Sequence, residues 1–233
     1  MATETFEKKY KTSRAAKLEF ERTAAIYDQV SLAKPRHLRI AKPFKLEGDT
    51  ICFEKIIDGI DVRKLICKFR VNTNVLHYVG LALAELHLAI NPPINSLEEN
   101  IHIHGDFTAS NTLYVPAKNL VYIIDFAPHF SNKSESYCYG SAYNDLAHIV
   151  LALEIKYPMH KLFLLLRKKN RELSNRFFAG YEEAIGKKID KEKLEQYIVR
   201  DIDIIRHRFS QKNPLSSFVW TRLFDKAKRE YIN

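Results

Sequence analysis

Between His102 and Phe126 the chain carries a set of oxygen-bearing side chains at spacings that could act together. The run His102-Ile103-His104-Gly105-Asp106-Phe107-Thr108-Ala109-Ser110-Asn111 is followed, after a short turn, by Ile123-Ile124-Asp125-Phe126. Transfer of a phosphoryl group from a nucleotide needs a carboxylate at the attacking hydroxyl and oxygen ligands that hold a divalent ion on the phosphates. Asp106 can be that carboxylate. Asn111 and Asp125 are hard oxygen donors of the kind magnesium prefers, with water and phosphate completing its shell. Taken singly, Asp106 and Asn111 are ordinary turn residues, Asp125 is a common strand terminator, and Asp145 fits the start of a helix. Their shared order, spacing and context make chance the weaker account.

Those residues need a hairpin to bring them together. Leu113–Val115 and Leu120–Ile124 flank the turn Pro116-Ala117-Lys118-Asn119, which places Asn111 where the loop enters one strand and Asp125 where the returning strand ends. Upstream, the pattern predicts an extended start over Thr5–Tyr10 and a helix over Arg14–Gln29. Two further extended segments, Leu38–Leu46 and Thr50–Ile57, are joined at Glu47-Gly48-Asp49 and read as another hairpin. Past the turn at Ile57-Asp58-Gly59, helical periodicity dominates: Val62–Phe69, Val75–Ile90, Tyr143–Lys156, His160–Ile185, Lys191–Ser210 and Ser216–Tyr231. The expected fold is α+β, with residues 1–57 as a small unit and 58–233 as a larger, mainly helical one.

The run H-G-D-x-x-x-x-N, the hairpin and I-D-F resemble the catalytic core of the aminoglycoside phosphotransferase and choline kinase family, a branch of the protein-kinase-like fold. The resemblance implies a bilobal molecule, ATP or GTP as donor, and Mg2+. It implies Asp106 as catalytic base, Asn111 and Asp125 as metal ligands, His104 packed beneath the loop, and Asp145 bracing the loop from a helix start. It also implies an early-strand lysine on the phosphates, paired with a helix glutamate. Phe6, Lys8 and Tyr10 alternate on one strand face, which favours Lys8 over Lys9. Glu21 shares a helix face with Leu18, Ala24 and Ala25, so Glu21 is expected to point inward. Glu54 to Ile56 would supply backbone groups to the nucleotide base. The family's two opening strands and their glycine-rich loop have no counterpart before Thr5, which leaves three readings: a start that lies further upstream, a reduced small lobe with an open phosphate site, or lost catalysis, the last opposed by the retained Asp106, Asn111 and Asp125.

The implied activity moves a γ-phosphoryl group to a hydroxyl of a small molecule or glycan. Two alternatives share the motif: a small atypical serine/threonine protein kinase, and a catalytically weak kinase-fold binding protein. A third reading treats His102, His104 and Asp106 as a zinc-binding HxHxD string, although Phe107 stands where another histidine is expected.

Composition narrows the partners. The 233 residues are 46% apolar, enough for a core, and the formal charge is +9. Residues 161–233 hold 18 lysines and arginines against 10 acids, so the excess lies in the last third. Interleaved acids favour solvated helix faces, and the sharper reading is an anionic substrate or a membrane surface. Phe177, Phe178, Tyr181, Tyr197, Phe209, Phe218 and Trp220 are the aromatic groups available near an acceptor, though their helical spacing suits a core equally well. Cys52, Cys67 and Cys138 form no CxxC pair. No apolar run approaches the roughly 20 residues of a membrane span, and a cytoplasmic protein is expected.

Overall fold

The computed structural model describes residues 4–66, 74–91, 93–126, 138–156 and 167–210, together with 225, 228 and 229. The expected helix over Ser216–Tyr231 lies largely outside them, as do Cys67, Phe218, Trp220 and the side chain of Phe209.

The chain starts with strand β1 (Thr5–Lys9) and helix α1 (Ser13–Ala33). Thr12 caps α1 by accepting from the Ala15 amide at 3.2 Å, and Lys34 closes it in the left-handed conformation just before Pro35. Strands β3 (Pro43–Glu47) and β4 (Thr50–Glu54) form the expected hairpin, and β1 adds antiparallel to β4. The order β1-β4-β3 leaves β1 at the edge, and no described strand pairs its outer side.

Leu38–Leu46 is not one strand. It divides into β2 (Leu38–Arg39) and β3, with β2 running parallel to β8 (Leu120–Ile123) in a different sheet. Two local causes account for the split. Pro43 has no amide to continue a ladder. The Glu85 carboxylate captures the amides of His37 and Leu38, at 2.9 and 2.7 Å.

The larger half is built around α3 (Asn74–Ala89), which is buried on nearly every side through Val75, Leu76, Val79, Ala82, Leu83 and Leu86. A helix apolar all round belongs inside, and its main neighbour is α5 (Arg167–Ile185). Gly80 and Gly180 make that contact close. A methyl group on either would collide with the carbonyl of Phe177 or of His77, so the two backbones touch with no side chain between them. Strands β5 (Ile60–Asp61), β7 (Thr112–Val115) and β8 complete the β2-β8-β7-β5 sheet. Strand β6 (Ile101–Ile103) pairs with β9 (Cys138–Gly140). Helices α2 (Val62–Ile66), α4 (Ala142–Leu151) and α6 (Lys191–Ser210) finish the set, and α4 runs into a wider π turn at Ala152–Lys156. No described helix is long and apolar enough to cross a membrane.

Candidate active site

Strand β6 delivers the chain into a loop gripped by buried polar groups. Gly105 turns it with φ of +85°, a conformation that favours glycine. Asp145, fully buried in the first turn of α4, accepts from the His104 and Gly105 amides at 2.8 and 2.9 Å. It also accepts from His87 Nε2 at 3.1 Å, while His87 Nδ1 meets the Tyr181 hydroxyl at 2.9 Å. Burial alone would raise the Asp145 carboxyl. The hydrogen bond and charge of His87, with the charge of His148, outweigh it and hold that carboxyl below its usual range.

The His104 ring can be assigned a tautomer. Its Nε2 lies 3.0 Å from the Ile124 carbonyl, which can only accept, and its Nδ1 receives the Asp106 amide at 3.2 Å. The ring is therefore neutral with its proton on Nε2, in keeping with burial pushing its pKa down. His104 thus joins the loop to the end of β8.

The β7–β8 hairpin brings the two ends of its strands side by side. Thr112 pairs with Ile123, and the Ile124 amide reaches the Asn111 carbonyl at 3.0 Å, which puts Asp125 beside Asn111. Asn111 Nδ2 donates to the Asp106 carbonyl at 2.9 Å and lies 3.5 Å from its Oδ2. That commits the amide nitrogen and leaves Oδ1 as the remaining acceptor. Asp125 sits at φ of +64°, an uncommon conformation for a non-glycine residue and one that accumulates at functional sites.

Across a cleft from these residues lies the small sheet. A cavity of about 280 Å³ has walls formed by Ile40, Phe53, Leu113 and Ile123, a rim at Glu54–Ile56, and a charged end with Lys8, Glu19 and Asp125. Lys8 Nζ is 3.0 Å from Asp125 Oδ1. Lys9 instead faces Asp49 at the exposed side. At the rim, the amides of Glu54 and Lys55 are taken by the carbonyls of Lys42 and Glu4. The Glu54 carbonyl and the Ile56 amide make no backbone hydrogen bond among the described residues.

Glu21 does not reach this site. Its side chain is 51% exposed and faces Lys17, 3.8 Å away on the same helix. The buried stripe of α1 is Ala16, Glu19, Thr23, Ile26 and Val30, with Arg22 beside it. The expectation placed Leu18, Ala24 and Ala25 inward on hydrophobicity. Hydrogen bonds from outside the helix decide the matter instead: Glu19 Oε1 accepts from the Phe126 amide at 3.0 Å, and Arg22 donates to the loop. The signal was available, because Ala16, Ile26 and Val30 lie at helical spacing with Glu19. Burial, with the Asp125 charge adding to it, raises the Glu19 carboxyl to about 7 against the opposing charges of Lys8 and Arg22.

Two other expectations resolve plainly. His102 packs on Tyr139 with ring centroids 4.3 Å apart, while His104 turns into the core, so the HxHxD string does not converge on one point. No group of three histidine, cysteine or carboxylate side chains among the described residues could hold a metal. Phe177 and Tyr181 are core, and Tyr197 stacks on Tyr143 at 5.5 Å.

No protein-family model and no curated relative matches the chain. Among solved structures it is similar to a glucosamine kinase in complex with glucosamine, ADP and inorganic phosphate, at 9% identity and a TM-score of 0.67 over 91% of this chain and 68% of that one. The fold is protein-kinase-like. A choline/ethanolamine kinase family protein from Mesorhizobium loti is also similar, at 10% identity and a TM-score of 0.60 over 100% of this chain and 84% of that one. Within that kinase-like architecture the described cleft lies between the small sheet and the helical half.

Proposed function

We propose that the chain is a nucleotide-dependent phosphotransferase that moves a γ-phosphoryl group to a hydroxyl of a small molecule or glycan, in the manner of the aminoglycoside phosphotransferase and choline kinase family. One observation carries the reading: Lys8 and Asp125 pair at 3.0 Å in a cavity that Glu54–Ile56 also line, and the Ile124 amide on the Asn111 carbonyl ties Asp125 to the loop where Asn111 bonds Asp106. The names of the similar structures, kinases of an amino sugar and of amino alcohols, support the same class. Residues 1–57 act as the small lobe and 58–233 as the large one.

The Glu54 carbonyl and Ile56 amide offer an acceptor and a donor to the edge of ATP or GTP, while Ile40, Phe53 and Ile123 cover the faces of the base. The donor set fits Mg2+, since Asp125 supplies a carboxylate and Asn111 an amide oxygen whose nitrogen is already engaged. When bound there, that ion supplies charge neutralisation on the phosphates. Lys8 exchanges its Asp125 partner for a phosphate oxygen. Asp106, with its amide fixed by His104, takes the proton of the acceptor hydroxyl as that oxygen bonds the γ-phosphorus and the bond to the β–γ bridging oxygen breaks, releasing the nucleoside diphosphate.

The test is nucleotide consumption over a panel of amino sugars, amino alcohols, phosphorylated sugars and peptides. Asp106→Asn should lower turnover roughly 1,000-fold while nucleotide binding, followed by thermal shift, stays intact. Equal turnover in both proteins would refute the assignment, and turnover on peptides alone would make the chain a protein kinase.

A further inference from the structure

Arg22 lies on α1, one turn beyond Glu19, and is only 2% exposed. Its Nη2 donates to two successive carbonyls, those of Ile103 and His104, at 3.1 Å each. These are the residues at which β6 passes into the loop that carries Asp106. Asp145 holds the amides of His104 and Gly105, so the same stretch of backbone is gripped through its carbonyls by a cation and through its amides by an anion.

Packing does not explain an arginine here. Removing a guanidinium from water is costly, and Nε and Nη1 have no hydrogen-bond partner among the described residues. A leucine or methionine would fill the space without that cost. We propose that Arg22 is a positioning residue: through the Ile103 and His104 carbonyls it sets the direction of the Asp106 carboxylate. Together with Glu19 on the Phe126 amide, it binds α1 both to the loop and to the chain just past β8. α1 therefore cannot swing outward without moving Asp106 and Asp125. This assignment rests on the phosphotransferase reading and adds to it a residue that the motif does not contain.

Arg22→Met and Arg22→Lys in the full chain test it, with Lys17→Met as an exposed control on the same helix. Amide hydrogen exchange over 103–107 should quicken about tenfold or more in Arg22→Met while α3 stays protected. Turnover should fall about 30-fold or more with the nucleotide KM held within roughly threefold, and Arg22→Lys should recover part of both. Unchanged turnover, or exchange raised evenly through the core, overturns the proposal. If Arg22→Met does not fold, Arg22→Lys carries the same two measurements. A loop selectively loosened in Arg22→Met, in a protein whose wild type consumes no nucleotide with any acceptor, sinks the phosphotransferase reading and leaves the positioning contact standing.

Discussion

The two walls of the cleft are finished to different degrees. On the loop wall Asp145, His87, His104 and Asn111 satisfy one another and the backbone, with bonds between 2.8 and 3.2 Å. On the opposite wall the Tyr10 hydroxyl, Glu19 Oε2 and the Thr23 hydroxyl are buried with no hydrogen-bond partner among the described residues. A buried polar group left unmatched costs about 1–3 kcal/mol. The loop wall is therefore assembled by folding itself, whereas the β1–α1 wall carries the cost of buried polar atoms that no described residue matches. Substitutions on the first wall should register as lost stability without any ligand, and those on the second as altered binding or altered pH response.

The support beneath the loop wall gives the largest expected loss. Gly180→Ala would drive a methyl into the His77 carbonyl and separate α5 from α3, at a cost of about 3 kcal/mol in denaturant unfolding. A loss of only a few tenths would mean that the helix pair does not hold the loop wall rigid. Asp145→Asn comes next. The new amide nitrogen would face an amide donor, so roughly 3 kcal/mol should be lost. Because the folded Asp145 carboxyl lies below its usual range, its contribution is complete above about pH 4 and disappears as the pH falls through the lower folded value. Acid unfolding of the asparagine variant should accordingly be flatter than that of the wild type.

On the other wall the sign reverses. Glu19 is raised from 4.5 to about 7, so between those values the folded protein binds more protons than the unfolded one, and stability falls as pH climbs. Glu19→Gln should remove that slope in denaturant midpoints followed from about pH 5 to about pH 8. An unchanged slope would show that this carboxyl is not the group responsible. The smallest effect on folding belongs to Lys8→Met. The Lys8–Asp125 pair is one-third exposed on each side, and its loss should cost under about 1 kcal/mol while nucleotide affinity drops. A large loss of stability would make Lys8 part of the scaffold and erase the contrast between the walls.

What the sequence disclosed follows the same division. The loop wall was legible where its chemistry is local: Asp106, Asn111 and Asp125 are joined through one hairpin whose turn residues are plain, whereas Asp145, about 40 positions beyond the amides it holds, was singled out through the family resemblance alone. The α1 wall was legible only in part. Strand alternation singled out Lys8, which meets Asp125, and helical spacing with Ala16, Ile26 and Val30 held the inward face of Glu19, but the groups that Glu19 and Arg22 bond lie about 80 to 107 positions away and periodicity does not name them. The division of Leu38–Leu46 was visible in part, at Pro43, and hidden in part, since its other cause is the Glu85 carboxylate 47 positions away. His87 read as one more residue of an apolar helix until Asp145 and Tyr181 were seen to flank it.

The parallel pairing of β2 with β8 also bears on how the molecule can breathe. Although β2 precedes most of the small sheet in the chain, it pairs with β8, so the chain crosses between the two sheets at residues 40–42 and again near Asp58. Any sliding of one sheet over the other would have to bend both crossings at once.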